Sequence, residues 1–173
     1  MPRTLTMTPD AAHAPRAPQS AVAARRMAQI VDAAARIVDE RGAERLTTAA
    51  IANDTGLAIG SVYRYFPDRV AILVELGRRS RERLHARLAA SMAQPTFEQA
   101  IDAYVDTVAQ HYRAEPSARS IGMGDRIDLG PERERVQWTE VAAPVVDALV
   151  RDHGVAPALA VVAIDTAAPM VDA

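Results

Sequence analysis

An all-α chain is predicted by three observations. Apolar residues recur at the spacing of one helix face in stretch after stretch, no strand pattern of convincing length occurs, and most glycines and prolines fall between the periodic stretches. The 173 residues are 49% hydrophobic, which suits one domain or a small domain joined to a larger one. A chain of this size buries roughly 70% of its unfolded surface and needs no crosslinks. It contains no cysteine, which removes disulfides, thiol nucleophiles and thiolate zinc sites together and fits a reducing cytoplasm.

Residues 1–23 read as a disordered Pro/Ala-rich tail, with too little apolar surface to offset the entropy of ordering it. No hydrophobic signal region is present there, and no apolar run anywhere reaches the roughly eighteen residues of a membrane span. The chain is therefore expected to be soluble and unexported, with no membrane partner. Arg25-Arg26 is not read as an export signal, because Asp32, Arg36, Asp39 and Glu40 put charges into the stretch after it.

The first helix is carried by Met27, Ile30, Val31, Ala34, Ile37 and Val38 on one face and is stopped by Gly42. A short second helix starts at Thr47 or Thr48, either of which can cap it, and runs through Ile51, Ala52 and Thr55 to Gly56. Gly56 supplies the positive φ of a tight turn, Leu57 plugs the gap between helices, and a third helix of about six to eight residues carries GSVYRYF. Pro67 ends it by biasing Phe66 out of helical geometry. A long fourth helix opens at Asp68 with Leu73, Leu76, Leu84 and Leu88 on one stripe.

A fifth helix comes after Pro95 on Phe97, Ile101, Tyr104, Val105, Val108 and Tyr112 and ends near Pro116; its acidic row Glu98, Asp102 and Asp106 reads as a solvated face. SARSIGMGDRIDLGPERER reads as a connector holding one helical turn, without the glycine-lysine pattern of a phosphate loop. Trp138, Val141, Ala142, Val145, Val146 and Leu149 make another helix, mildly interrupted at Pro144. The last, from Pro157 to Ala168, is apolar nearly all round and wants burial on more than one side, as core or as half of an interface.

Charge divides the chain. Residues 1–90 hold 14 arginines against 9 acids, a balance of +5, while residues 91–173 hold 6 against 13, a balance of −7. Every basic residue is arginine, a bias spread over the whole chain. The short third helix belongs to the positive half, and Val62 and Phe66 at i and i+4 turn inward, leaving Ser61, Tyr63, Arg64 and Tyr65 outward. Two helices on a glycine turn, locked by Ile51, Ala52, Leu57, Val62 and Phe66, fit a helix-turn-helix whose second helix enters the major groove. Aromatic and cationic side chains on an exposed face make sense when a nucleic acid covers them.

The stretch RRMAQIVDAAARIVDERGAERLTTAAIANDTGLAIGSVYRYFPDRVAIL, residues 25–73, resembles the N-terminal DNA-binding domain of TetR-family transcriptional regulators. The resemblance implies that Thr48, Tyr63 and Arg69 contact phosphates, with arginine at 69 where the family usually has lysine. It places Ile59, Gly60, Ser61, Arg64 and Tyr65 where members touch bases or nearby backbone. Ala49 can offer only a methyl contact, so base discrimination falls mainly on Arg64 and Ser61, and Ala58 stands where a capping serine is common.

The resemblance further implies a helix-turn-helix domain at 24–70 and a helical ligand-binding and dimerisation domain at 71–173, shortened at its C-terminus. The implied protein is a cytoplasmic, nucleoid-associated homodimer. It binds a palindromic operator in double-stranded DNA and acts as a repressor released by a small-molecule effector. Candidate pocket residues are Tyr104, His111, Tyr112, Met123 and Trp138. No cofactor, metal site or catalytic residue is expected: His13, His85, His111 and His153 show neither HExxH spacing nor clustering, and no GxSxG or dinucleotide loop occurs. The alternatives are a helical interaction protein with a weakened DNA reader, or an enzyme without a recognisable motif.

Overall fold

The computed structural model of the chain describes residues 18–122 and 131–167, with side chains described except at 122, 131–141 and 165–167. Eight α-helices and no strand occur among the described residues. They fall into two compact units, Met1–Leu76 and Gly77–Ala173.

In the first unit, α1 (Ala21–Arg41) begins earlier than its apolar rhythm, because Ser20 Oγ accepts a hydrogen bond from the Ala23 amide at 3.1 Å and caps it. The residues before Met27, expected in part as tail, are alanine- and arginine-rich and favour helix without needing burial. Met27, Ile30, Val31, Ala34, Ile37 and Val38 are buried as their spacing requires, and the Gly42 amide closes the helix on the Val38 carbonyl. A 3-10 turn, Ala43–Arg45, leads to the fully buried Leu46.

The second helix, α2 (Thr48–Thr55), is capped by Thr47, whose hydroxyl accepts from the Ala50 amide at 3.0 Å. It ends at Gly56, with φ 69° and ψ 12°, in the left-handed region. A Cβ at Gly56 would meet nothing within 4 Å, so backbone geometry alone requires glycine there. The third, α3 (Ile59–Tyr65), has Ala58 at its N-cap and no side-chain cap. The fourth, α4 (Arg69–Ser91), is capped by Asp68 Oδ1, which accepts from the Ala71 amide at 2.8 Å. Two contacts tie α1 to α2: Gln29 donates to the Thr55 carbonyl at 3.0 Å, and Arg36 pairs with Asp54.

The division between units falls inside α4, whereas the sequence expectation put it at 70/71, in the first turn of the same helix. The second unit contains the rest of α4 with α5 (Phe97–Ala114), α6 (Pro116–Gly122), α7 (Pro131–His153) and α8 (Pro157–Ala167). The expected connector is shorter than the sequence suggested: its ends belong to α6 and α7, and only 123–130 lie outside the described residues. Both helices open on proline, which suits a first helical position because no amide is needed there. Pro144 does not interrupt α7, which runs through it.

Leu84, Leu88 and Met92 of α4 join Tyr104 and Val108 of α5, Val145 and Leu149 of α7, and Ala160 and Ile164 of α8 in one core. The apolar helix α8 is buried on one side only: Leu159, Val161 and Val162 are 57%, 45% and 57% exposed. Of the two burials its composition suggested, the subunit core therefore accounts for one side of the helix.

Three substitutions test the turn and the cap. Gly56→Ala should cost about 1–2 kcal/mol through left-handed strain, and Gly56→Val more. Ala58→Ser should add about 1 kcal/mol by giving α3 its missing cap. Thermal melts of the three variants check both, and an undiminished Gly56→Val melt would rule out the strained turn.

Candidate nucleic-acid interface

A seven-residue helix has no stability of its own in water, so the orientation of α3 is set by what it buries. Val62 and Phe66 are fully buried, and α2, which packs on α3, contributes Ile51 and Ala52 to the same unit's core. Ile59, Gly60, Tyr63 and Arg64 are exposed. Ser61 and Tyr65, expected to point outward, are half-buried. Tyr65 comes three positions after Val62, only about 60° around the helix, so it lies on the shoulder of the buried stripe.

Thr48 and Tyr63, both expected at phosphates, are brought together: the Thr48 hydroxyl donates to the Tyr63 phenol oxygen at 3.0 Å. Thr47 does the capping, which leaves the Thr48 side chain available for this bond. With its oxygen accepting from Thr48, the Tyr63 phenol keeps its own proton to donate outward. The bond orients a ring that is 48% exposed. Ala49 is exposed beside it, and Arg69 is half-buried at the first position of α4, where a helix N-terminus favours anions.

Two further exposed arginines lie outside the set of site residues expected from the sequence. Arg25 and Arg26 are exposed on the first turns of α1 and line, with Val22 and Gln29, an open hollow of about 300 Å³; Arg26 is steadied by Gln29 at 3.1 Å. The positive balance of the first half was the signal that could have found them.

Residues 30–76, spanning most of α1 through the first turns of α4, match the family model described as bacterial regulatory proteins, tetR family. A crystal structure of a TetR-family transcriptional regulator from Streptomyces coelicolor superposes with a TM-score of 0.62 at 28% identity, covering 83% of this chain and 81% of that one. Residues 30–76 therefore form a TetR-type DNA-binding domain.

Among curated relatives, nucleoid occlusion factor SlmA of Haemophilus influenzae is 39% identical over 57 residues, which is 33% of this chain and 26% of SlmA. The transcriptional repressor KstR of Mycolicibacterium smegmatis is 37% identical over 62 residues, 36% of this chain and 30% of KstR. The matches thus span less than a third of the length of either relative. TetR-family regulators are transcription factors rather than enzymes. Among the described residues no helix is long and apolar enough to cross a membrane, and no three His, Asp or Glu side chains are grouped to hold a metal ion.

Of the candidate pocket residues, Tyr104 and His111 are buried and Tyr112 is half-buried, its ring 5.6 Å from that of His111. Met123 lies outside the described residues, as does the side chain of Trp138. No pattern in the amino-acid sequence signals the polar chain around His111. Arg87 Nη1 lies 3.3 Å from His111 Nδ1 and can only donate, so Nδ1 accepts and Nε2 carries the proton. Nε2 then donates to Ser80 Oγ at 2.8 Å, and Ser80 donates to Glu115 Oε2 at 3.0 Å. Arg83 completes the chain with two bonds to the same carboxylate, at 2.8 and 2.7 Å.

This chain joins α4 to α5 through a neutral imidazole of fixed tautomer. Burial pushes His111 below its ordinary value of 6.5; the charge of Glu115 opposes this, and Arg87 and Arg83 push further down. Burial works to raise Glu115, but the Arg83 hydrogen bond, attraction to the His111 ring once acid protonates it and the Ser80 hydrogen bond together hold it below 4.5.

Both shifts make acid destabilising. As pH falls below 6.5 the unfolded chain takes up a proton at residue 111 that the folded chain refuses until the lowered folded value is reached. The stabilisation from Glu115 is present above 4.5 and is lost as pH falls through its own lowered value. His111→Gln, which cannot titrate, should therefore flatten the decline in urea stability between pH 7 and pH 5 by up to about 1.4 kcal/mol per pH unit. Denaturation curves at those pH values check this; parallel declines in the two proteins would contradict it.

Proposed function

We propose that the chain is a sequence-specific DNA-binding transcriptional regulator, a homodimer that represses from a palindromic operator and is released by a small-molecule effector. The observation that carries the reading is the outward face of α3, where Tyr63 is aimed by Thr48 beside the exposed Arg64. Hydroxyl and arginine donors on a major-groove helix suit phosphate oxygens and base edges respectively. The TetR-type domain at residues 30–76 and the partial match to a named repressor support the same function.

Tyr63 and Arg69 are assigned to phosphates directly and Thr48 through Tyr63, to which it gives its one hydroxyl proton, while Ile59, Gly60, Ser61, Arg64 and Tyr65 are assigned to bases or adjacent backbone, with Ala49 limited to a methyl contact. The exposed apolar side chains of α8, Leu159, Val161 and Val162, are assigned to the partner subunit. A two-fold dimer of this kind sets its reading helices about one DNA turn, roughly 34 Å, apart. The effector is assigned to the second unit, with Tyr104, His111, Tyr112, Met123 and Trp138 as its candidate neighbours and α4 as the element that carries its effect. Such a ligand acts only if it binds the DNA-competent and DNA-incompetent states with different affinity. These functions place the protein in the cytoplasm, on the nucleoid.

Selection of bound duplexes from a random pool at physiological salt should recover an inverted repeat. Arg64→Ala should then lose about 1–3 kcal/mol and relax specificity at one symmetric pair of positions. Arg69→Ala should weaken all sequences alike and reduce the salt slope by about one unit per subunit. A pool that yields no motif would overturn the proposal, and uniform losses from both variants would overturn the division of labour.

A further inference from the structure

Gly60 has no reason within the fold to be glycine. It lies in α3 without a positive φ, it is exposed, and a Cβ placed on it would meet nothing within 4 Å. Glycine inside a helix is less stable than alanine by about 1 kcal/mol. Here that burden falls on a helix of seven residues that lacks a side-chain cap.

Its neighbour Ile59 is equally unexplained by packing. It is the first residue of α3 and leaves 48% of its surface in water. Tyr63 comes four positions later, so the two share one face, and Tyr63 is the residue held by Thr48. The outward edge of α3 therefore offers, in order, a branched aliphatic group, a bare backbone and a fixed phenol.

Resting on the DNA-binding reading above, we propose that Ile59 and Gly60 together read the C5-methyl group of a thymine in the major groove. The N-terminal residues of the second helix in this motif are those that meet base edges. The thymine methyl is the apolar group that base pairs present in the major groove, and an isoleucine side chain complements it by exclusion of water. Gly60 makes that contact reachable: without a side chain at 60, the helix backbone comes one methyl thickness nearer to the base pair.

The test uses the full-length protein and the duplex recovered by selection, with each thymine replaced in turn by deoxyuridine, which removes the methyl group alone. One thymine per half-site should prove sensitive, with wild-type affinity falling about fourfold, the factor equivalent to one buried methyl group. Ile59→Ala, an exposed substitution, should bind the thymine and deoxyuridine duplexes equally. Gly60→Ala should raise the melting temperature by about 2–5 °C and yet weaken operator binding at least tenfold. A merely structural glycine would move both quantities in the same direction. A motif whose binding is indifferent to every deoxyuridine, an Ile59→Ala protein with undiminished methyl sensitivity, or a Gly60→Ala protein that binds as wild type would each overturn this inference and leave the parent reading standing. Failure to select any motif would overturn both.

Discussion

The apolar lock formed by Ile51, Ala52, Val62 and Phe66 is the constraint on which the first unit depends. Helices of eight and seven residues are too short to persist in water, since nucleation is costly and few bonds are gained after it. Burial of each large side chain contributes about 1.5–3 kcal/mol, enough to hold both helices and with them the angle of the turn at Gly56. The exposed face is a consequence of that lock. Once Val62 and Phe66 are inside, helical geometry leaves Tyr63 and Arg64 outside, and the packing of α2 on α3 brings Thr48 to Tyr63.

Much of this was legible in the amino-acid sequence because its signals are local. The spacing of Met27 to Val38, the stop at Gly42, the positive φ at Gly56, the missing cap at Ala58 and the end before Pro67 each depend on a few neighbouring residues. The start of α1 was missed because alanine and arginine form helix without an apolar rhythm. α6 and the opening of α7 were missed for related reasons: one is too short to show a period, and the other begins with the charged run PERER. At the site, the residue types on the outward face were readable, but the Thr48–Tyr63 bond joins positions 15 apart, and the bonds from His111 to Ser80 and Arg87 span 31 and 24. No periodicity encodes such pairings.

The two units also differ in how they use polar groups. The first unit keeps Tyr63, Arg64 and the arginines at the start of α1 exposed at its surface. The second unit turns Ser80 and His111 inward and satisfies them completely, so that each donor has one acceptor and the tautomer is fixed. Closed networks of this kind resist rearrangement, because moving any member leaves the next one unpaired in a low-dielectric setting. SlmA and KstR, a nucleoid occlusion factor and a repressor, match this chain over 57 and 62 residues, about a third of its length.

α4 belongs to both units, and the boundary at Leu76 falls within its 23 residues. A cut there, whether by a protease or by truncating the gene, would divide a continuous hydrogen-bonded ladder and leave each fragment with a helical stub at the margin of independent stability. Amide protons on either side of the boundary are therefore expected to exchange as one protected block, so that melting of either unit frays the other from a shared end.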